Sequence, residues 1–445
     1  MYKDKAKAER EEMRRSWSWQ IAHECGRYVS PLLRELDRIL DRRLVMTLLG
    51  TVLAILTHRH RQNGLVLSEL EAYLLSVEQA NAGTKRIERL LHSQRWTGAL
   101  IRSFLWQQAD ERTRQAIQAE GHGLVLWDES EQEKPESLEL EGLCAVRSLK
   151  AARLKHIKQG YYNPPGGRPV FVPGMHWLSV MVCGMKGLAQ VASMQWWTTR
   201  GEASTQKRDI EHATLKEVVS HWGQRVIHVF DRGYAGAPWL DVLFEHGVRF
   251  VMRWPMRYKL STANGETRQA SQIANRKRCV DYRMLRDTRR RQPIKVGVVF
   301  LTVCDQDKSR PLTLVGARSK GRKPWYLLTN EPVRSVEEAW SIVLIYARRW
   351  QIEIAFRFFK SELACESPRL IAFDAREKLL LLAALVYAFL ITLLHLYPLE
   401  WVYQMISRWC STAYKRSRQL AAPLYRLRLA ISRLFLLAPP GLLNA

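Results

Sequence analysis

Residues 346–360 read YARRWQIEIAFRFFK, and the fold is read outward from them. At about 100° per residue on an α-helix, Tyr346, Arg349, Glu353 and Lys360 share a stripe about 60° wide. One helix face thus presents a carboxylate, two cations and a phenol. Those groups suit a wall that holds a divalent metal through the acid and phosphate through the cations. The same spacing also fits a solvated face with i,i+4 ion pairs, so the helix alone leaves both readings open.

Upstream, two short apolar runs each end in an aspartate. Leu124–Trp127 runs straight into Asp128, and Val226–Phe230 runs into Asp231 and the tight turn Asp231-Arg232-Gly233-Tyr234. Ends of strands in an α/β sheet are where ligand-binding side chains project clear of the core. An aspartate after a strand is also a common turn or cap residue. Two in equivalent positions, with a third acid on a later helix, point to a site.

Around these acids the chain divides by pattern. Residues 1–120 show helical spacing through Leu32–Leu56 and Leu65–Leu75, then a break at Asn81-Ala82-Gly83 and a new helix from Thr84. That helix carries Lys85, Arg86, Arg89 and Arg95, the layout of a helix-turn-helix, though a plain helical hairpin with a basic face fits as well. Residues 121–250 alternate strands and helices: a polar loop over Glu129–Glu141, a turn at Asn163–Gly167, a hairpin of Trp177–Cys183 and Leu188–Trp196, a helix over 205–222, a second near Pro238–His246 and a strand at Arg249–Arg253. Residues 254–330 are strand-like and contain the run Arg286–Arg291. After Trp325–Thr329 a long amphipathic helix is expected from about Ser335 to Leu363, followed by a helical C-terminal stretch. The apolar run Leu379–Leu394 is shorter than the ~20 residues that span a bilayer and reads as a buried core helix.

The chain has 445 residues and a formal charge of +26, with 47% hydrophobic residues. That composition excludes wholesale disorder, and the charge calls for a polyanionic partner, with nucleic acid the first choice. The excess is local. Residues 251–330 hold 19 basic against 5 acidic residues, whereas residues 121–250, with both aspartates, hold 15 against 14. Seven cysteines without CxxC spacing fit reduced thiols in a cytosolic protein and exclude a standard zinc site. The first fifteen residues have no apolar stretch behind their charges, so no secretory signal is expected.

Taken together, Asp128, the DRGY turn and the helix motif Y-x2-R-x3-E-x6-K resemble the insertion-sequence DDE transposases that carry the Y-R-E-K signature. The resemblance covers roughly Leu124 to Lys360, with a looser similarity in the N-terminal helices. It implies an α/β fold: a ribonuclease-H-like mixed sheet flanked by helices, interrupted by a β-rich insertion, behind an all-helical DNA-binding region. The expected division is 1–121, helical and DNA-binding; 122–253, first part of the core; 254–330, basic insertion; 331–400, second part of the core; and 401–445, helical C-terminal region. It implies Asp128, Asp231 and Glu353 as catalytic metal ligands for Mg²⁺, with Mn²⁺ the alternative, since three carboxylates form an oxygen-only set. Tyr346, Arg349, Lys360, Arg232 and Tyr234 are implied as phosphate contacts, and Trp325 (Trp254 less strongly) as the ring that stacks on a flipped base.

The activity implied is binding of terminal inverted repeats, metal-dependent end cleavage and strand transfer into target DNA. The partner is double-stranded DNA, with a homodimer in the DNA complex, no membrane and no organic cofactor, in the bacterial cytoplasm at the nucleoid. A catalytically decayed DNA-binding protein and a ribonuclease-H-like nuclease are the competing readings.

Overall fold

The computed structural model describes residues 2–75, 77–135, 137, 139–148, 170–286, 292–305, 310–410 and 423–440. The expected turn at Asn163–Gly167 and most of the run Arg286–Arg291 lie outside the described residues. The chain opens with α1 (Tyr2–Asp37), α2 (Arg42–Thr57), α3 (Leu67–Leu74), α4 (Ala80–His92) and α5 (Gly98–Glu120). Then come β1 (Gly123–Glu133), β2 (Cys144–Ser148), β3 (Val170–Cys183), β4 (Gln190–Trp197), α6 (Lys207–Trp222), β5 (Val226–Phe230), α7 (Ala237–Glu245) and β6 (Arg249–Arg253). The basic segment supplies β7 (Lys259–Thr262), β8 (Thr267–Gln269), α8 (Ala270–Asn275), β9 (Asp281–Arg286), β10 (Pro293–Cys304), β11 (Pro311–Arg318) and β12 (Trp325–Thr329). Five helices follow among the described residues: α9 (Val336–Arg348), α10 (Trp350–Ser361), α11 (Phe373–Leu396), α12 (Leu399–Trp409) and α13 (Pro423–Leu437).

The core sheet runs β4-β3-β1-β5-β6. β3 is antiparallel to β1 and to β4, while β5 and β6 run parallel to β1. This mixed order is the ribonuclease-H-like arrangement the sequence led us to expect. β12 pairs with β6 and β11 with β12, so the strands of the basic segment extend the same sheet.

Period-2 alternation explains how the sheet sorts its residues. On β1, Leu124 and Leu126 face the core under α9, α10 and α11, while Val125 and Trp127 face the second core, under α6 and α7. On β5, Ile227 and Val229 take the first face, and Val226 and Phe230 the second. Continuing the alternation by one step puts Asp128 and Asp231 on the α9/α10 side and Glu129 on the α6 side.

Three expectations are corrected here. Residues Glu129–Glu133 are strand, not loop: Asp128 through Glu133 pair with Ser179 through Gly174 on β3. Asn81-Ala82-Gly83 does not break the chain before Thr84, because α4 begins at Ala80. Gly83 is instead a contact point, since a Cβ there would stand 2.9 Å from the Glu71 carbonyl oxygen on α3. The long helix expected from Ser335 begins with a capping box between Ser335 and Glu338 and is divided at Arg349 into α9 and α10. α11 is long and apolar enough to cross a membrane, yet Leu379 through Ile391 are buried throughout, which fits the core-helix reading.

Candidate active site

β1 and β5 are parallel neighbours whose register ends at Trp127↔Phe230. The next residue on each is an aspartate, so Asp128 and Asp231 emerge side by side on one face. At Asp128 the β5 ladder stops while the β3 ladder continues, so this is an end on one edge only. Behind the pair lies an aromatic floor. Trp127 donates its indole N–H to His228 Nδ1 at 3.1 Å, and burial holds His228 down at a pKa of about 3, leaving it a neutral acceptor. Phe230, Tyr234 and Trp239 pack around them.

Arg349, at the junction of α9 and α10, joins the acids. It is 8% exposed. Its Nη1 donates to Asp128 Oδ2 at 3.0 Å, its Nη2 donates to Glu353 Oε1, and its Nε lies 4.0 Å from Asp231 Oδ1. Three carboxylates from three separate elements therefore surround one guanidinium. Burial acts to lower the pKa of Arg349, and Tyr346, Asp128, Asp231 and Glu353 more than offset it, so the group stays charged. Burial pushes Asp128 up to about 7; Arg349 opposes the rise and Asp231 adds to it. The Tyr346 hydroxyl donates to Asp231 Oδ1 at 3.3 Å, and burial raises its pKa to about 12. Among the described residues, no three His, Cys, Asp or Glu gather tightly enough to hold a metal ion. Here the carboxylates are spaced around Arg349. Their oxygen-only chemistry and their convergence on one positive charge nonetheless suit a hard divalent cation.

The other sequence-selected residues divide. Lys360 leaves the stripe: its Nζ donates to the Glu131 carbonyl oxygen at 2.6 Å and lies 3.4 Å from Glu366 Oε1. Seven residues past Glu353 is about 10 Å of helix, enough to carry it beyond the acids to the C-terminal end of β1. Arg232 is exposed beside Asp231. Tyr234 is corrected from a phosphate contact to a packing residue, because it is 3% exposed inside the aromatic floor. Trp325, half-buried at the start of β12, sets its ring edge-on to Tyr346 with centroids 5.1 Å apart. Trp254 is buried and remote from solvent. Lys85 and Arg89 are exposed one turn apart on α4, while Arg86 lines a cavity with Arg42 and Arg43.

Sequence reasoning missed Glu129, which turns to the α6 side and bonds to Lys207, itself 3.6 Å from the buried Glu211. It also missed that Arg349 faces all three acids at once. The i,i+4 spacing of Arg349 and Glu353 was the sole local signal.

Residues 178–389 match the family described as transposase DDE domain. The span contains Asp231, Tyr346, Arg349, Glu353 and Lys360 and begins after Asp128. Among solved structures, the chain is similar to the piggyBac transposase in its synaptic complex with hairpin DNA. Identity is 13%, coverage is 95% of this chain and 80% of that one, and the TM-score is 0.42. No curated protein matches. Through residues 178–389, a little under half of its length, the chain is similar to the DDE transposases.

Proposed function

We propose that this chain is a DNA transposase that binds terminal inverted repeats, cleaves the element's ends in a metal-dependent reaction and transfers the freed strands into target DNA. The observation that carries the reading is the convergence of Asp128, Asp231 and Glu353 on one buried charge. These carboxylates would hold Mg²⁺, or Mn²⁺ in its place. When bound, the metal would supply activation of the attacking water or 3′-hydroxyl and neutralisation of charge at the phosphate.

The chain's own residues do the rest. Asp128 and Asp231 are fixed by adjacent strand register, and Glu353 by the α9–α10 junction. Tyr346 orients Asp231 through its hydroxyl, and its ring supports Trp325 edge-on. Trp325 offers a flat face at the rim where an unpaired base would stack. Arg232, exposed at the DRGY turn, is placed to meet a phosphate. Arg349 serves as the acids' counter-charge. A homodimer on DNA would bring two such sites to paired ends.

The test is to incubate the chain with Mg²⁺ and a duplex carrying the inverted repeats that flank its reading frame. Nicked ends and joined products are expected. Asp128→Ala, Asp231→Ala and Glu353→Ala should each abolish both while DNA binding persists. Cleavage without joining would favour a nuclease, and binding without cleavage a decayed enzyme.

A further inference from the structure

The loop between α2 and α3 reads His58-Arg-His-Arg-Gln-Asn63 and faces the last turn of α10. Arg59, His60, Arg61 and Gln62, with Ser361 and Glu362 opposite, line a cavity of about 370 Å³. We propose that this cleft is a binding site for the phosphodiester backbone of the DNA on which the active site acts, an inference that rests on the DNA-transposase reading above.

The loop is built to present its side chains. The buried Arg428 of α13 donates to the carbonyls of Ile55 at 2.8 Å and His58 at 3.1 Å, and Ser432 donates to that of Thr57 at 2.6 Å. The Asn63 N–H donates to His60 Nδ1 at 3.1 Å, and the Leu65 N–H to Ser367 Oγ at 2.9 Å. Backbone held at this many points limits the ordering cost of binding to that of the side chains.

Glu362 does not cancel the charge. Arg59 grips it through Nε at 2.5 Å and Nη2 at 2.9 Å, and Arg428 Nη1 lies 3.8 Å away. Two guanidiniums on one buried carboxylate leave a positive balance. Arg61, exposed at the loop, adds to it. Every lining residue carries a polar or charged group, and their stems supply the apolar part of the wall, which suits an anionic backbone.

The cleft also continues the active site. Glu353, Arg357 and Ser361 follow one another at four-residue intervals on α10, so about 12 Å of helix axis leads from the catalytic glutamate to the cleft. Arg357 is exposed on that path, and Tyr425 of α13 lies within electrostatic reach of both Arg357 and Arg61. A DNA strand carries a charge every ~3.4 Å of axis, so a strand entering the acid triad would pass its next few phosphates along Arg357 to Arg61.

The experiment measures binding of a labelled duplex of arbitrary sequence to the full chain by fluorescence anisotropy, in EDTA and across a salt series. Arg61→Ala/Arg357→Ala is expected to weaken binding about tenfold or more at low salt. It should also lower the slope of log affinity against log salt by about two. Arg61→Lys/Arg357→Lys should restore most of both. Unchanged affinity and slope in the alanine variant, with wild-type binding intact, overturn the cleft alone. So does a loss that lysine does not recover. Failure of the wild-type chain to bind duplex at all overturns the DNA-transposase reading together with this one.

Discussion

Replacing Arg349 with methionine, which keeps the stem, removes the guanidinium that faces all three carboxylates. It bonds to Asp128 at 3.0 Å, pairs with Glu353 and approaches Asp231 to 4.0 Å. Deleting one partner of a fully buried ion pair costs about 3–5 kcal/mol. The side chains of Asp128, Asp231 and Glu353 are 20%, 37% and 30% exposed, so water takes over part of their solvation and the expected loss falls to roughly 2 kcal/mol. A divalent cation at the acids would supply the missing charge, and an ion at a hundred times its Kd stabilises by about 2.7 kcal/mol. Urea denaturation followed by tryptophan fluorescence, in EDTA and in excess Mg²⁺, reads both effects. The variant should be less stable than wild type in EDTA and gain more from Mg²⁺, because wild-type Arg349 must first be displaced. An equal Mg²⁺ response in the two proteins, or an EDTA stability unchanged by the substitution, would refute the reasoning.

Other outcomes follow from the same geometry. Asp128 is protonated below about pH 7 in the metal-free chain, whereas a metal needs the carboxylate, so apparent metal affinity should climb as pH rises through about 7, with proton release seen by calorimetry. Tyr234→Phe should leave end cleavage and stability nearly unchanged, since its buried hydroxyl has no hydrogen-bond partner among the described residues, while Tyr234→Ala should cost about 3 kcal/mol or more in denaturation. Gly83→Ala should cost about 1–3 kcal/mol, because its methyl would meet the α3 backbone. Trp325→Ala should weaken binding of a duplex with an unpaired end base by about 1–3 kcal/mol and barely alter binding of a fully paired one.

Local pattern carried much of this site. Val226–Phe230 is apolar except for His228 and ends at Asp231, so its position at a strand end was legible. Asp128 was legible for the same reason, but the rest of β1 was not. Glu129–Glu133 is polar throughout, and its strand state comes from pairing with β3, about 45 residues away. Leu379–Leu394 declared itself a core helix by its length and its flanking charges. The helix stripe predicted Tyr346, Arg349 and Glu353 together, yet it could not show that Asp128 and Asp231, more than a hundred residues upstream, would share Arg349. Nor could it show that Lys360 would be taken up by the β1 backbone. The pairing of β12 with β6, which merges the basic segment into the core sheet, is a contact between distant segments that no local pattern encodes.

In the proposed mechanism, Asp128, Asp231 and Glu353 form one divalent-metal centre beside Arg349. Anomalous diffraction from crystals of the chain grown with Mn²⁺ tests it most directly. Manganese is expected to be bound by those three carboxylates, with Arg349 turned away from Asp128. Manganese bound elsewhere, with Arg349 still bridging Asp128 and Glu353, would contradict it.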